Sequence, residues 1–126
     1  MTTSSGTLLG VWAHPDDECY LSAGLMAQAV RDGRRVVCVT ATRGEAGVTD
    51  ETRWPAAELA GIRERELQQS LRELGVTEHQ FLGLPDGGCA DVDPEPLIDD
   101  LAALMAELRP SVVVTFGPEG ITDHDD

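Results

Sequence analysis

Thr7-Leu8-Leu9-Gly10-Val11-Trp12-Ala13-His14-Pro15-Asp16-Asp17-Glu18 decides how the rest of the chain is read. Its first seven residues are a near-continuous apolar run, as expected for a strand covered on both faces. The next five positions hold one histidine and three acids, directly where that strand ends. Ionisable groups concentrated at the mouth of a buried strand are a costly way to make a turn. They read better as a cation site with a base beside it.

Outward from this stretch the pattern alternates. Leu21, Leu25, Met26, Ala29 and Val30 recur at helical spacing over residues 21–31, and Gly33 sits just past the end. Residues 35–41 form a second buried strand, rich in branched side chains. Over residues 58–74, Leu59, Ile62, Leu67, Leu71 and Leu74 make one apolar stripe, closed by Gly75. Residues 80–82 read as a short third strand running into a turn-rich loop at 83–88. Asp93-Pro94 signals a helix start, with Leu97, Leu101, Leu104, Met105 and Leu108 as its core face. Pro110 ends that helix, and residues 111–116 form a fourth strand. The order βαβαβαβ predicts an α/β fold, a Rossmann-like three-layer αβα sandwich with a mostly parallel sheet. Residues 1–126 read as one domain. The outer strand would lack a following helix to cover it, so the chain is expected to be the N-terminal part of a longer product, truncated after the fourth strand.

Composition narrows the function. With 126 residues and 41% hydrophobic side chains, the chain can bury a core. A formal charge of −14 argues against nucleic acid or an anionic membrane as partner. All nine basic residues are arginine, which removes lysine-based mechanisms from consideration. Cys19, Cys38 and Cys89 cannot all pair and form no Cys-x-x-Cys clip, so reduced thiols and a cytoplasmic location are expected. Neither a signal peptide nor a membrane span is read from the sequence.

In an open α/β sheet, ligands bind beyond the carboxyl ends of the strands. The four loops expected there hold His14, Asp16, Asp17, Glu18, Glu45, Asp86, Asp123, His124, Asp125 and Asp126. His14 and Asp17 lie three apart across a proline-stiffened turn, a spacing that lets imidazole and carboxylate converge on one ion, as zinc requires. Asp16, between them, points elsewhere and is placed to accept a proton from an activated water. A third ligand is expected from the tail after the fourth strand, with one position left open for water. Glu18 has a simpler explanation in the dipole of the helix that follows it.

The stretch Ala13-His14-Pro15-Asp16-Asp17-Glu18 resembles the signature of the PIG-L/LmbE-like N-acetylglucosaminyl deacetylases, which include mycothiol- and bacillithiol-pathway deacetylases. Ala41-Thr42-Arg43-Gly44-Glu45-Ala46-Gly47, Arg63-Glu64-Arg65-Glu66-Leu67 and Phe81-Leu82-Gly83-Leu84-Pro85-Asp86-Gly87 follow in the family's order. The resemblance implies that His14 and Asp17 are metal ligands, Asp16 is the general base, and Arg63 and Asp86 hold the sugar. The family's last motif, Gly-x-x-Gly-His-Pro-Asp-His, aligns with residues 120–126, with Asp123 for the second glycine and Asp125 for proline. His124 then matches its first histidine, which resembles a transition-state stabiliser or proton donor. The last histidine, the third ligand, would follow Asp126. Either it lies beyond this chain, or His124 or an acid of the tail stands in.

The function expected is zinc-dependent hydrolysis of the N-acetyl group of a small N-acetylglucosamine-containing molecule, with Fe2+ as an alternative ion. A homo-oligomer is expected, with no nucleic acid and no membrane as partner. Two other readings are an amidase acting on a thiol conjugate of the same class and a receiver-like signalling domain that accepts phosphate on Asp86. The fragment itself is also open to being inactive.

Overall fold

Strand β1 (Thr7–Trp12) sends Leu8 and Trp12 to one face of the sheet and Leu9 and Val11 to the other, and each set seeds its own core. The computed structural model describes residues 6–45, 56–117 and 126. On the first face, Leu8, Trp12, Val36 and Cys38 pack against Met26 and Ala29 of α1 (Asp17–Arg31) and Leu67 and Leu71 of α2 (Ala56–Glu73). On the second, Leu9, Val37 and Val39 pack against Leu101, Leu104, Met105 and Leu108 of α3 (Pro94–Leu108). Three layers result because the central strands are apolar on both sides.

Strands β2 (Arg35–Thr40), β3 (Glu78–Phe81) and β4 (Pro110–Val114) complete a parallel sheet in the order β3-β2-β1-β4. The fold class read from the sequence is the one found. The strand order reverses direction beside β1, so the crevice expected to take ligands lies past the carboxyl ends of β1 and β4.

Several boundaries differ from the periodicity. Helix α1 begins at Asp17, not near Leu21, because the chain turns sharply at Asp16 (φ 97°) and Asp17 and Glu18 suit the positive end of the helix. Strand β3 begins at Glu78, pairing with Val37, where its carboxylate takes two Arg35 hydrogen bonds of 2.6 and 2.7 Å. The fourth strand covers Pro110–Val114 and not residues 111–116, and a register shift between Thr7 and Leu8 accompanies the proline. A short 3-10 turn, Cys89–Asp91, had no sequence signal. The start of α3 follows the sequence: Asp93 caps it, accepting from the Glu95 N–H at 3.1 Å, with Pro94 in the first turn. Among the described strands β4 lies at one edge, and Val112 and Val113 are exposed there.

Candidate metal centre

The β1–α1 connection is fixed before any ligand is considered. The Ala13 carbonyl accepts from both the backbone N–H and the hydroxyl of fully buried Thr42, at 2.9 and 3.0 Å, which extends the β1–β2 ladder past the strand ends. The next four residues close on themselves. The His14 N–H donates to Asp17 Oδ2 at 2.9 Å, and the Asp17 N–H donates to the His14 carbonyl at 3.3 Å. These contacts hold the His14 and Asp17 side chains on the same side of the turn.

Both ring nitrogens of His14 face carboxylates. Nδ1 lies 3.9 Å from Asp17 Oδ2, whereas Nε2 lies 2.9 Å from Asp86 Oδ1 and 2.8 Å from Asp126 Oδ2. The Asp86 side chain is 6% exposed and that of Asp126 is fully buried. Asp86 follows β3, on a loop whose own N–H donates to Glu45 Oε1 at 2.9 Å, so the β2 and β3 connections brace each other. Asp126 is seated by the backbone N–H groups of Gly87 (2.7 Å) and Cys89 (2.9 Å).

Burial raises the Asp17 carboxyl above its usual range, against the opposing His14 N–H and ring. Burial also works against ionised Asp126, but the Gly87 and Cys89 N–H groups and the His14 ring outweigh it and hold that carboxyl well below the usual range. The Cys89 thiol beside it is pushed up to about 12 by burial and the surrounding carboxylates, so it is no thiolate ligand as it stands.

The donor set fits a divalent cation. One ligand atom each from His14, Asp86 and Asp126 lie within 4.8 Å of one another, all nitrogen or oxygen. The Nε2 contacts of 2.8 and 2.9 Å are hydrogen-bond distances, shorter than the about 3.3 Å between neighbouring donors around tetrahedral zinc. Nδ1 and Asp17 Oδ2 stand farther apart, at 3.9 Å, beyond hydrogen-bond reach. The imidazole thus faces Asp17 through one nitrogen and is anchored on two carboxylates through the other, an arrangement that fixes tautomer and ring orientation.

Of the residues singled out from the sequence, His14, Asp17 and Asp86 come together here. Asp16 lies next to them but faces outward, its side chain 57% exposed and 3.0 Å from Arg63 Nη2. Arg63 is also tied to the Pro15 and Gly44 carbonyls, at 3.0 and 3.2 Å. His124 lies outside the described residues. Among the described residues, Asp126 is a tail acid that reaches His14. Sequence reasoning gave Glu45 no role and set a dipole role for Glu18 ahead of a role in the site. Glu18 is 1% exposed, and burial pushes its carboxyl up to about 7. The only signal for it was its place in the motif.

The chain has clear relatives among known proteins. At 38% identity over 94% of this chain, it matches the 1D-myo-inositol 2-acetamido-2-deoxy-alpha-D-glucopyranoside deacetylase of Mycobacterium tuberculosis, strain ATCC 25618 / H37Rv. The match takes in 46% of that protein, so the chain spans about half the length of the curated relatives it matches. The fold superposes on N,N'-diacetylchitobiose deacetylase from Pyrococcus horikoshii with a TM-score of 0.82 at 28% identity, covering 95% of this chain and 45% of that one. It also superposes on the conserved protein TT1542 from Thermus thermophilus (TM-score 0.70, 37% identity, 94% of this chain and 49% of that one). Among the described residues no helix is long and apolar enough to cross a membrane. The family profile described as GlcNAc-PI de-N-acetylase matches residues 9–126, nearly the whole sequence, and the chain belongs to that family, PIG-L.

Proposed function

We propose that this chain carries a metal-dependent N-deacetylase site that hydrolyses the N-acetyl group of a small N-acetylglucosamine-containing molecule, releasing acetate and an amine. The observation that carries the reading is His14, gripped through Nε2 by Asp86 and Asp126 while Nδ1 faces Asp17. The names of the relatives point the same way, since both the Mycobacterium and the Pyrococcus proteins are called deacetylases.

In this reading His14 and Asp17 hold the ion, zinc by preference and Fe2+ as the alternative. When bound, the ion supplies Lewis acidity toward the amide carbonyl and makes its water a better acid. Asp16, adjacent to the ligands and solvent-facing, takes the proton from the attacking water. His124 stabilises the tetrahedral oxyanion or gives a proton to the departing amine. Arg63 and Asp86 border the sugar. An amidase acting on a thiol conjugate would use the same groups. The receiver-like reading loses support because the Asp86 carboxylate is engaged with His14 Nε2 at 2.9 Å. Cytoplasmic location and a homo-oligomeric state belong to the same proposal, the former supported by free Cys38 and Cys89.

The decisive variant is Asp16→Asn. It should abolish turnover of an N-acetylglucosamine conjugate while elemental analysis still finds the metal. Turnover at the wild-type rate would refute the assigned base.

A further inference from the structure

Asp16 occupies a backbone conformation that side chains with a Cβ rarely adopt. Its φ of 97° lies well beyond the left-handed helical basin near about +57° that aspartate tolerates. Residues in such regions persist where their surroundings over-determine them, typically at working sites. Two side chains from different parts of the chain do this for Asp16.

The first is Glu18. It turns back from the opening of α1, 1% exposed, so that Oε2 accepts the Asp16 N–H at 3.2 Å. The second is Arg63, which reaches across from α2. Its Nη2 donates to the Pro15 carbonyl and to Asp16 Oδ2, each at 3.0 Å, and its Nη1 donates to the Gly44 carbonyl at 3.2 Å. Gly44 makes this approach possible: a Cβ there would stand 2.8 Å from the Arg63 Cζ. The peptide before Asp16, its own N–H and its carboxylate are therefore each held, by groups separate from the carboxylates that hold His14 Nε2.

We infer that Glu18 and Arg63 are positioning residues that lock the strained turn at Asp16 and aim its carboxylate, Glu18 from the interior and Arg63 from the second helix. This rests on Asp16 being the base, and it gives Arg63 a second task beyond bordering the sugar. Loss of either clamp should lower the rate of the chemical step and leave metal binding in place, because misplacing a catalytic group by about 1 Å costs on the order of 100-fold.

Two measurements test it. Amide hydrogen exchange at Asp16, followed by NMR, reads the clamp without any activity. The amide should be protected in the wild type and in Glu18→Gln, which keeps an accepting oxygen, and unprotected in Glu18→Leu. Exchange at the unstructured rate in the wild type, or full protection in Glu18→Leu, overturns the clamp. Should Glu18→Leu fail to fold, the wild-type protection and the Arg63→Met variant carry the test. In the full gene product, with N-acetylglucosamine as the probe substrate, Glu18→Leu should lower kcat by about 10- to 100-fold with KM and bound metal unchanged, Arg63→Met should lower kcat by a similar factor with bound metal unchanged and KM raised by the lost sugar contact, and Glu18→Gln should restore kcat. A raised KM at unchanged kcat in Arg63→Met makes Arg63 a substrate contact only and overturns its positioning role. Asp16→Asn measured alongside separates the two hypotheses: if it turns over normally the base assignment fails, while the exchange result still judges the clamp.

Discussion

Asp86 Oδ1 stands 2.9 Å from His14 Nε2, while the other ring nitrogen of the same histidine faces Asp17. A carboxylate in that position orients a ligating imidazole and raises its basicity. Asp86→Ala should therefore weaken metal binding about 10- to 100-fold in competition with a chelator. Unchanged affinity would leave Asp86 as a contact for the sugar alone.

Two titrating groups, buried Glu18 and half-buried His79, pull stability in opposite directions as pH changes. Burial raises Glu18 from its ordinary 4.5 to about 7, so the folded chain binds that proton more tightly than the unfolded one. Its contribution is complete below about pH 4.5 and is lost as pH rises through 7, roughly 3 kcal/mol in all for a group this buried. His79 runs the other way. Burial, helped by the Arg43 charge, lowers it from 6.5 to about 4, so its contribution is present above 6.5 and lost as pH falls through 4. Between pH 4.5 and 6.5 the two offset each other in metal-free protein. Urea melts should show Glu18→Gln losing stability on acidification below 6.5, and His79→Asn losing it on alkalinisation toward 7. Identical pH slopes in both variants and the wild type would contradict these assignments.

Gly44 joins two constraints, a φ of +70° and the Arg63 guanidinium against its α-carbon. Gly44→Ala should cost about 1–2 kcal/mol in chemical denaturation. Part of that cost should vanish in an Arg63→Ala background, where only the backbone strain remains. Additive losses would show that the close approach is not felt.

The two cores predict a sharp contrast between leucines. Leu71, 2% exposed beneath the sheet, should lose about 2–5 kcal/mol on truncation to alanine. Leu25 on α1 is 48% exposed, and the same change there should be within about 0.5 kcal/mol of neutral.

The layers were legible because the runs 7–13 and 35–41 are apolar on both sides, which only a covered parallel sheet explains. Strand β3 was harder to place, since an edge strand reading Glu78-His79-Gln80-Phe81 buries too little to show a pattern. The opening of α1 was hidden for a related reason: periodicity registers a helix only once apolar residues recur, and Asp17 and Glu18 come before the first of them. In the site, His14 and Asp17 could be paired from spacing because one turn brings them together. The contact between His14 and Asp126 spans 112 positions, and no local rule reaches that far. Likewise Glu45 looks like a turn residue until the fold lays the Asp86 N–H against it.

His14, Asp86 and Asp126 arrive from the ends of the first strand, the third strand and the segment beyond the fourth. A cation held by His14 and Asp17 would reach both flanks of the sheet through the two carboxylates that grip the other ring nitrogen, acting as a mooring whose occupancy would be written into the melting curve. Saturation at 100 times Kd is worth about 2.7 kcal/mol to a fold that binds only in its native state. Stripping the ion with chelator should lower Tm and restoring it should bring Tm back, so that the supply of metal would set the temperature at which the chain melts.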